Sequence, residues 1–143
     1  MINKVYKMNN LDLLSKLESK GEKIDLIYCD VLYNTGNTFY TKDNNFAYID
    51  NIGSDEEVEE YYTKFFDMCS RVLSDRGSIF IQCDYRISWI IQKCMNKHFM
   101  FNDKIIWKRS QTGKGAKSKK SLSKDYDEIF FTQKQKIMCL IRF

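Results

Sequence analysis

Apolar and polar positions along this chain follow two periods, and the switches between them mark out alternating helices and strands. Leu11, Leu13, Leu14 and Leu17 recur at helical spacing behind Asn9-Asn10, a pair suited to capping a helix start, and Gly21 closes the segment. A short apolar run at 24–29, bounded by turn residues, predicts a buried strand. Residues 34–52 are polar, aromatic and aperiodic, which predicts a long loop of the kind that forms lids or binding loops. Ser54-Asp55-Glu56-Glu57 then has the form of a capping box, its acids favourably placed against the helix dipole. Val58, Tyr61, Tyr62, Phe65, Phe66, Cys69, Val72 and Leu73 follow at spacings of three and four, and Asp75-Arg76-Gly77 stops that helix.

The second half repeats the alternation. Residues 78–83, Ser-Ile-Phe-Ile-Gln-Cys, predict another buried strand with Asp84 at its carboxyl end. A helix over 87–97 turns Ile87, Ile90, Ile91, Cys94 and Met95 inward. Phe99 and Phe101 lead into a third strand at 104–108, residues 109–124 form a basic loop, and 127–132 give a fourth strand. With no internal repeat, this order predicts one α/β domain over 1–143 with a mostly parallel sheet. In open sheets of that class ligands bind beyond the carboxyl ends of the strands. Asp30 and Tyr33, just past the first strand, occupy such a position, and so does Asp84 if the strands are parallel.

Composition narrows the classes. Apolar residues make up 43% and aromatics 15%, enough for a folded core. The five cysteines (Cys29, Cys69, Cys83, Cys94 and Cys139) form no C-x-x-C pair and His98 is the single histidine, so no metal site is expected. An odd count inside apolar runs reads as reduced thiols of a cytoplasmic protein. No basic start with an apolar signal region is present, and no apolar run approaches ~18 residues, so neither secretion nor membrane spanning is expected.

Charge is concentrated. Between residues 104 and 124 lie Lys104, Lys108, Arg109, Lys114, Lys117, Lys119, Lys120 and Lys124 with no acid, while the whole chain carries a net +4. All of the positive excess therefore sits in one segment, as either a solvated loop or a polyanion contact.

The string Asp30-Val31-Leu32-Tyr33-Asn34-Thr35-Gly36-Asn37 resembles the D-P-P-Y-N-T-G motif of the amino-group DNA methyltransferases, in the β-type arrangement of type III modification subunits. Val31 and Leu32 replace both prolines. The acid-led helix, G-S-I-F-I-Q-C-D, I-I-W-K-R, the basic loop and Y-D-E-I-F-F continue the likeness over roughly 11–134. The resemblance implies a Rossmann-like, S-adenosylmethionine-dependent methyltransferase fold. It also implies methylation of an exocyclic amine in double-stranded DNA within a restriction-modification system, adenine N6 ahead of cytosine N4.

That chemistry explains the residue types. The amine's lone pair is delocalised into the base ring, and acceptors on its hydrogens localise it for attack. A base inside a duplex must first be extruded and stacked on a ring. The resemblance thus implies Asp30 as amine acceptor and cofactor contact, and Tyr33 as stacking face. Val31, Leu32, Asn34, Thr35, Gly36 and Asn37 would shape the substrate pocket. Lys108, Arg109, Lys114, Lys117, Lys119 and Lys120 would hold phosphates. Without the prolines the acceptor geometry is less restrained, and a ~1 Å misplacement costs on the order of 10²-fold in rate.

The family's S-adenosylmethionine strand-turn, F-x-G-x-G, has no counterpart here; Gly113-Lys114-Gly115 follows no Phe and sits among lysines. An incomplete cofactor site is therefore expected, in a truncated chain or one completed by a partner subunit or second copy. The apolar end, 135–143, fits either a strand or an interrupted frame. A non-catalytic nucleic-acid-binding relic, a docking subunit, and an RNA substrate remain as alternatives. Elsewhere, His98 reads as a helix-end residue, Tyr61, Phe65 and Phe66 as core, the acids from Glu56 to Glu60 as a solvated face, and Trp89 and Trp107 as core or interface.

Overall fold

The computed structural model describes residues 3–109 and 125–134. Helix α1 (Asn10–Ser19) starts where expected, with the Asn9 side chain accepting from the Leu11 N–H at 2.9 Å. Gly21, at φ +66°, ends it in the left-handed conformation that glycine adopts without strain. Strand β1 (Ile24–Asp30) follows.

Residues 34–52 are not a structureless loop. They contain an antiparallel ribbon of β2 (Asn37–Tyr40) and β3 (Phe46–Asp50). The aromatic and branched residues of these two short runs suit a strand, and the polar stretch between them supplies the turn. Helix α2 (Asp55–Val72) carries the predicted capping box: Ser54 Oγ accepts from the Glu57 N–H, and Glu57 Oε2 accepts from the Ser54 N–H.

That helix stops at Val72, before Asp75-Arg76-Gly77, because Leu73 already turns to extended geometry, is fully buried and pairs with Ile24. Strand β4 (Leu73–Cys83) then runs through the expected breaker. Gly77 sits so close to Leu73 that a Cβ there would lie 2.6 Å from its Cγ, which explains glycine at this point better than a turn does. Helix α3 (Ser88–Met95), β5 (Phe99–Lys108) and β6 (Tyr126–Lys134) complete the described elements.

The main sheet has the order β1-β4-β6-β5. β1 and β4 pair in parallel, and β6 pairs antiparallel with both β4 and β5. Three strands thus run one way and β6 alone runs back, a mostly parallel α/β sheet. The core lies on the face covered by the helices. Leu14 and Leu17 of α1, Val58, Phe66 and Val72 of α2, and Ile90 and Ile91 of α3 pack with Ile79, Ile81, Cys83 and Phe130.

The other face of the sheet is largely open. Leu26 and Tyr28 on β1 and Ile105 and Trp107 on β5 are all exposed there. Among the described residues β1 has a strand neighbour on one side only, so it is an edge rather than the buried strand its apolar run predicts. Trp89 and Trp107 are likewise more than half exposed and belong to no core. Among the described residues no helix is long and apolar enough to cross a membrane.

Candidate active site

The parallel pairing of β1 and β4 puts Asp30 directly beside Gln82 at the carboxyl end of the sheet. One further bond, from the Val31 N–H to the Gln82 carbonyl at 3.1 Å, carries the ladder past the strand tip and leaves Val31 buried. Tyr62 Oη then donates to the Leu32 carbonyl at 3.2 Å and ties the next residue to the core helix. A cleft of about 640 Å³ opens at this point, lined by Asp30, Val31, Leu32, Tyr33 and Thr35.

Gln82 organises the floor. Its amide N–H groups reach Tyr33 Oη and Asp127 Oδ2, both at 3.2 Å, and its carbonyl accepts from the Tyr28 hydroxyl. Burial, then hydrogen bonding with Asp30, pushes the Tyr33 hydroxyl above the usual tyrosine range, with the Gln82 bond working weakly against them. Tyr33 is therefore a neutral ring with a fixed hydroxyl, not a base. The neighbouring Cys29 thiol is pushed up to about 11 by burial and by Asp30, so it stays protonated and inert.

Two ion pairs stand at the sides. Arg86 chelates Asp84 through Nε at 2.7 Å and Nη2 at 3.1 Å. Burial would raise the Asp84 carboxyl, but the Arg86 side chain and backbone bonds, helped by Arg109, outweigh it and hold the pKa below the usual carboxylate value. Arg109 forks onto Asp127, with Nε at 3.0 Å, and its own pKa is raised chiefly by that bond.

The N-T-G segment serves as an anchor. Asp50, only 4% exposed, accepts from the Asn34 N–H at 2.9 Å, the Thr35 N–H at 3.2 Å and Thr35 Oγ1 at 2.6 Å. Asn34 adopts φ +54°, a region asparagine tolerates, and its side chain bonds the Ile52 N–H and the Gly53 carbonyl. Of this segment only Thr35 lines the cleft; Asn34, Gly36 and Asn37 hold the base of the ribbon. Lys108 ends β5 away from the cleft lining, Arg109 lines it, and Lys114, Lys117, Lys119 and Lys120 lie outside the described residues.

Sequence reasoning did not find Asp50, Gln82, Arg86, Asp127, Phe39 or Tyr48, all of which line the cleft. For Gln82 a signal existed: it is the polar residue on the face of β4 opposite Ile79, Ile81 and Cys83. Asp50 and the ribbon aromatics gave none without the ribbon itself. Carboxylates outnumber guanidinium groups in the lining four to two, and both guanidiniums are already paired. The cleft is thus acidic, offering acceptors to hydrogen-bond donors on a ligand and disfavouring phosphate.

A family model described as DNA methylase (N6/N4 type) matches residues 24–138, the stretch that builds this cleft. The chain belongs to that methylase family. Among solved structures it is similar to M1.HpyAVI in complex with SAM, with 16% identity, a TM-score of 0.63, and coverage of 93% of this chain and 54% of that one. TTHA0409 from Thermus thermophilus, complexed with S-adenosyl-L-methionine, is similar at 14% identity and TM-score 0.54, covering 88% of this chain and 51% of that one. These likenesses establish the methyltransferase fold. The chain spans about half the length of these solved relatives. No curated protein matches it.

Family membership implies S-adenosylmethionine as cofactor, and the cleft can be tested for it. None of the described glycines lines the cleft, so a close backbone cradle for the cofactor is not among its walls. Asp30 is the one residue carried over to the cofactor that lines it. Among the described residues there is no cluster of His, Cys, Asp and Glu that could hold a metal.

Proposed function

We propose that this chain is the base-handling part of an amino-group DNA methyltransferase, acting on adenine N6 of an extruded base in double-stranded DNA. The observation that carries the proposal is the convergence of Asp30 and Tyr33 on one acidic, aromatic cleft at the strand tips. Asp30 accepts a hydrogen of the exocyclic amine, and Tyr33 stacks on the ring. The Leu32 carbonyl is engaged by Tyr62, which directs the second acceptor role to the carbonyl of Val31. Asn34, Gly36 and Asn37 act on the pocket indirectly, by fixing its rim. Lys108, Lys114, Lys117, Lys119 and Lys120 take the phosphates outside the acidic lining.

S-adenosylmethionine is the methyl donor of this chemistry. No described glycine lines the cleft, which supports a cofactor site completed elsewhere: by a further stretch of a longer protein, by a partner subunit or by a second copy, with the chain alone turning over poorly. The setting we propose is a cytoplasmic restriction-modification system.

The test is equilibrium binding of a duplex with one unpaired adenine, compared with the same duplex carrying an abasic site there. Tighter binding to the adenine duplex, lost in Tyr33→Ala, is expected; equal affinity for both duplexes overturns base binding. Calorimetric titration with S-adenosylmethionine tests the cofactor part. Absence of binding by the chain alone is expected, and one-to-one binding overturns the incomplete site.

A further inference from the structure

The β2–β3 ribbon is exposed throughout except at Asp50, yet it carries Phe39, Tyr40, Phe46 and Tyr48. A two-stranded ribbon has no core of its own in which to bury such rings. Phe39 and Tyr48 are register partners, and their rings stack at 4.9 Å between centroids with 15° between planes. Both line the cleft that holds Asp30 and Tyr33, and both remain about half exposed, Phe39 at 40% and Tyr48 at 47%. Tyr40 and Phe46, the next pair along, do not line it.

We propose that Phe39 and Tyr48 are base-binding residues that form the second aromatic wall of the cleft. This rests on the base-handling reading above. An extruded base has two π-faces, and Tyr33 can cover only one of them. The other stays wet unless a second apolar surface meets it, and base-ring stacking contributes about 1–3 kcal/mol per base. The ribbon offers that surface as the outward π-face and edges of two rings already stacked on each other, and the Asp50 bonds to Asn34 and Thr35 fix its root to the residues directly after Tyr33. The acidic lining keeps phosphate away from this wall, so the ligand there is a nucleobase and not the DNA backbone. The cleft volume of about 640 Å³ suits a small-molecule-sized ligand.

The probe is a mixed-sequence single-stranded 12-mer with one 5-iodouracil, whose bases need no extrusion from a duplex. Phe39→Leu and Tyr48→Leu, which keep apolar bulk without a ring, are each expected to weaken binding ~5- to 150-fold, equally at low and high salt. Tyr40→Ala is the control and should bind as the native protein does. Irradiation of the native protein with the iodouracil strand should cross-link Phe39 or Tyr48, a result independent of how any variant folds. Native affinity in both leucine variants together with loss in Tyr33→Ala overturns the second wall and leaves the base-handling reading standing. Native affinity in all three overturns both. Cross-links confined to residues outside 33–50 also overturn the wall.

Discussion

Thr35 gives both of its hydrogen-bond donors to one carboxylate: its N–H and its hydroxyl meet Asp50 Oδ2 at 3.2 and 2.6 Å. The two residues flank the ribbon, so this contact closes it at the root, beside Tyr33. Hydrogen bonds to a charged group contribute about 1.5–3 kcal/mol. Asp50→Ala should therefore raise amide exchange across 37–50 by roughly 10- to 100-fold while α2 keeps its protection. Thr35→Val, which removes only the hydroxyl, should give a smaller rise. Unchanged exchange in both variants would show that the ribbon is held by something other than this clamp.

Gln82 makes a different kind of prediction. Its side-chain amide bonds Tyr28, Tyr33 and Asp127, so Gln82→Leu removes three bonds with little change of volume. The partners can turn to water in the open cleft, and the stability loss should stay near 1–2 kcal/mol in urea unfolding. Base affinity should fall further than in Tyr33→Phe, which keeps the stacking ring and loses only its hydroxyl. A Tyr33→Phe variant that binds the unpaired-adenine duplex as weakly as Tyr33→Ala would show that the hydroxyl, not the ring, matters.

The pair of Asp84 and Arg86 sets an acid dependence. Burial opposes the Asp84 charge, but Arg86 and the cation at Arg109 more than offset it, so the folded carboxyl ionises at lower pH than in the unfolded chain. Such a group stabilises the fold fully above the unfolded value of ~3.9, and its contribution disappears as pH falls through the lower folded value. Asp84→Asn should be less stable than the native protein at pH 7, by about 1 kcal/mol because Arg86 is half exposed, and the difference should vanish in strong acid. Urea midpoints measured from pH 7 down to pH 2 check this; a constant gap across that range contradicts it.

Much of this fold was legible because periodicity reports what a segment packs against. The spacing of Val58, Phe66 and Val72 could only suit one buried helical face, and Ser54 with Glu57 marked its start. The apolar run at 24–29 predicts a buried strand, but burial of a strand depends on its neighbours, and β1 has one on only one side among the described residues. The ribbon escaped because Asn37–Tyr40 and Phe46–Asp50 are too short to show a period against polar surroundings. In the site, Asp30 and Tyr33 stood out because chemistry and a strand tip coincide there. Asp50, Gln82 and Asp127 reach the cleft through strand pairings, which local spacing does not encode.

Those same exposed strands carry the last prediction. Among the described residues β1 is an edge, and its open face shows Leu26 at 60% and Tyr28 at 52% exposure, while Ile105 and Trp107 show 46% and 53% on β5. An apolar edge of this kind is a template for pairing with another strand, and an isolated chain has its own second copy at hand. Sedimentation velocity should reveal concentration-dependent association in the micromolar range. Leu26→Lys places a charge on that edge and removes an apolar contact of about 1.5 kcal/mol, so it should weaken association roughly tenfold. It lies on β1 outside the cleft lining, so base binding should be unaffected. A strictly monomeric native chain at every concentration would show that this edge is not a self-pairing surface and would favour a different partner for the open side of the sheet.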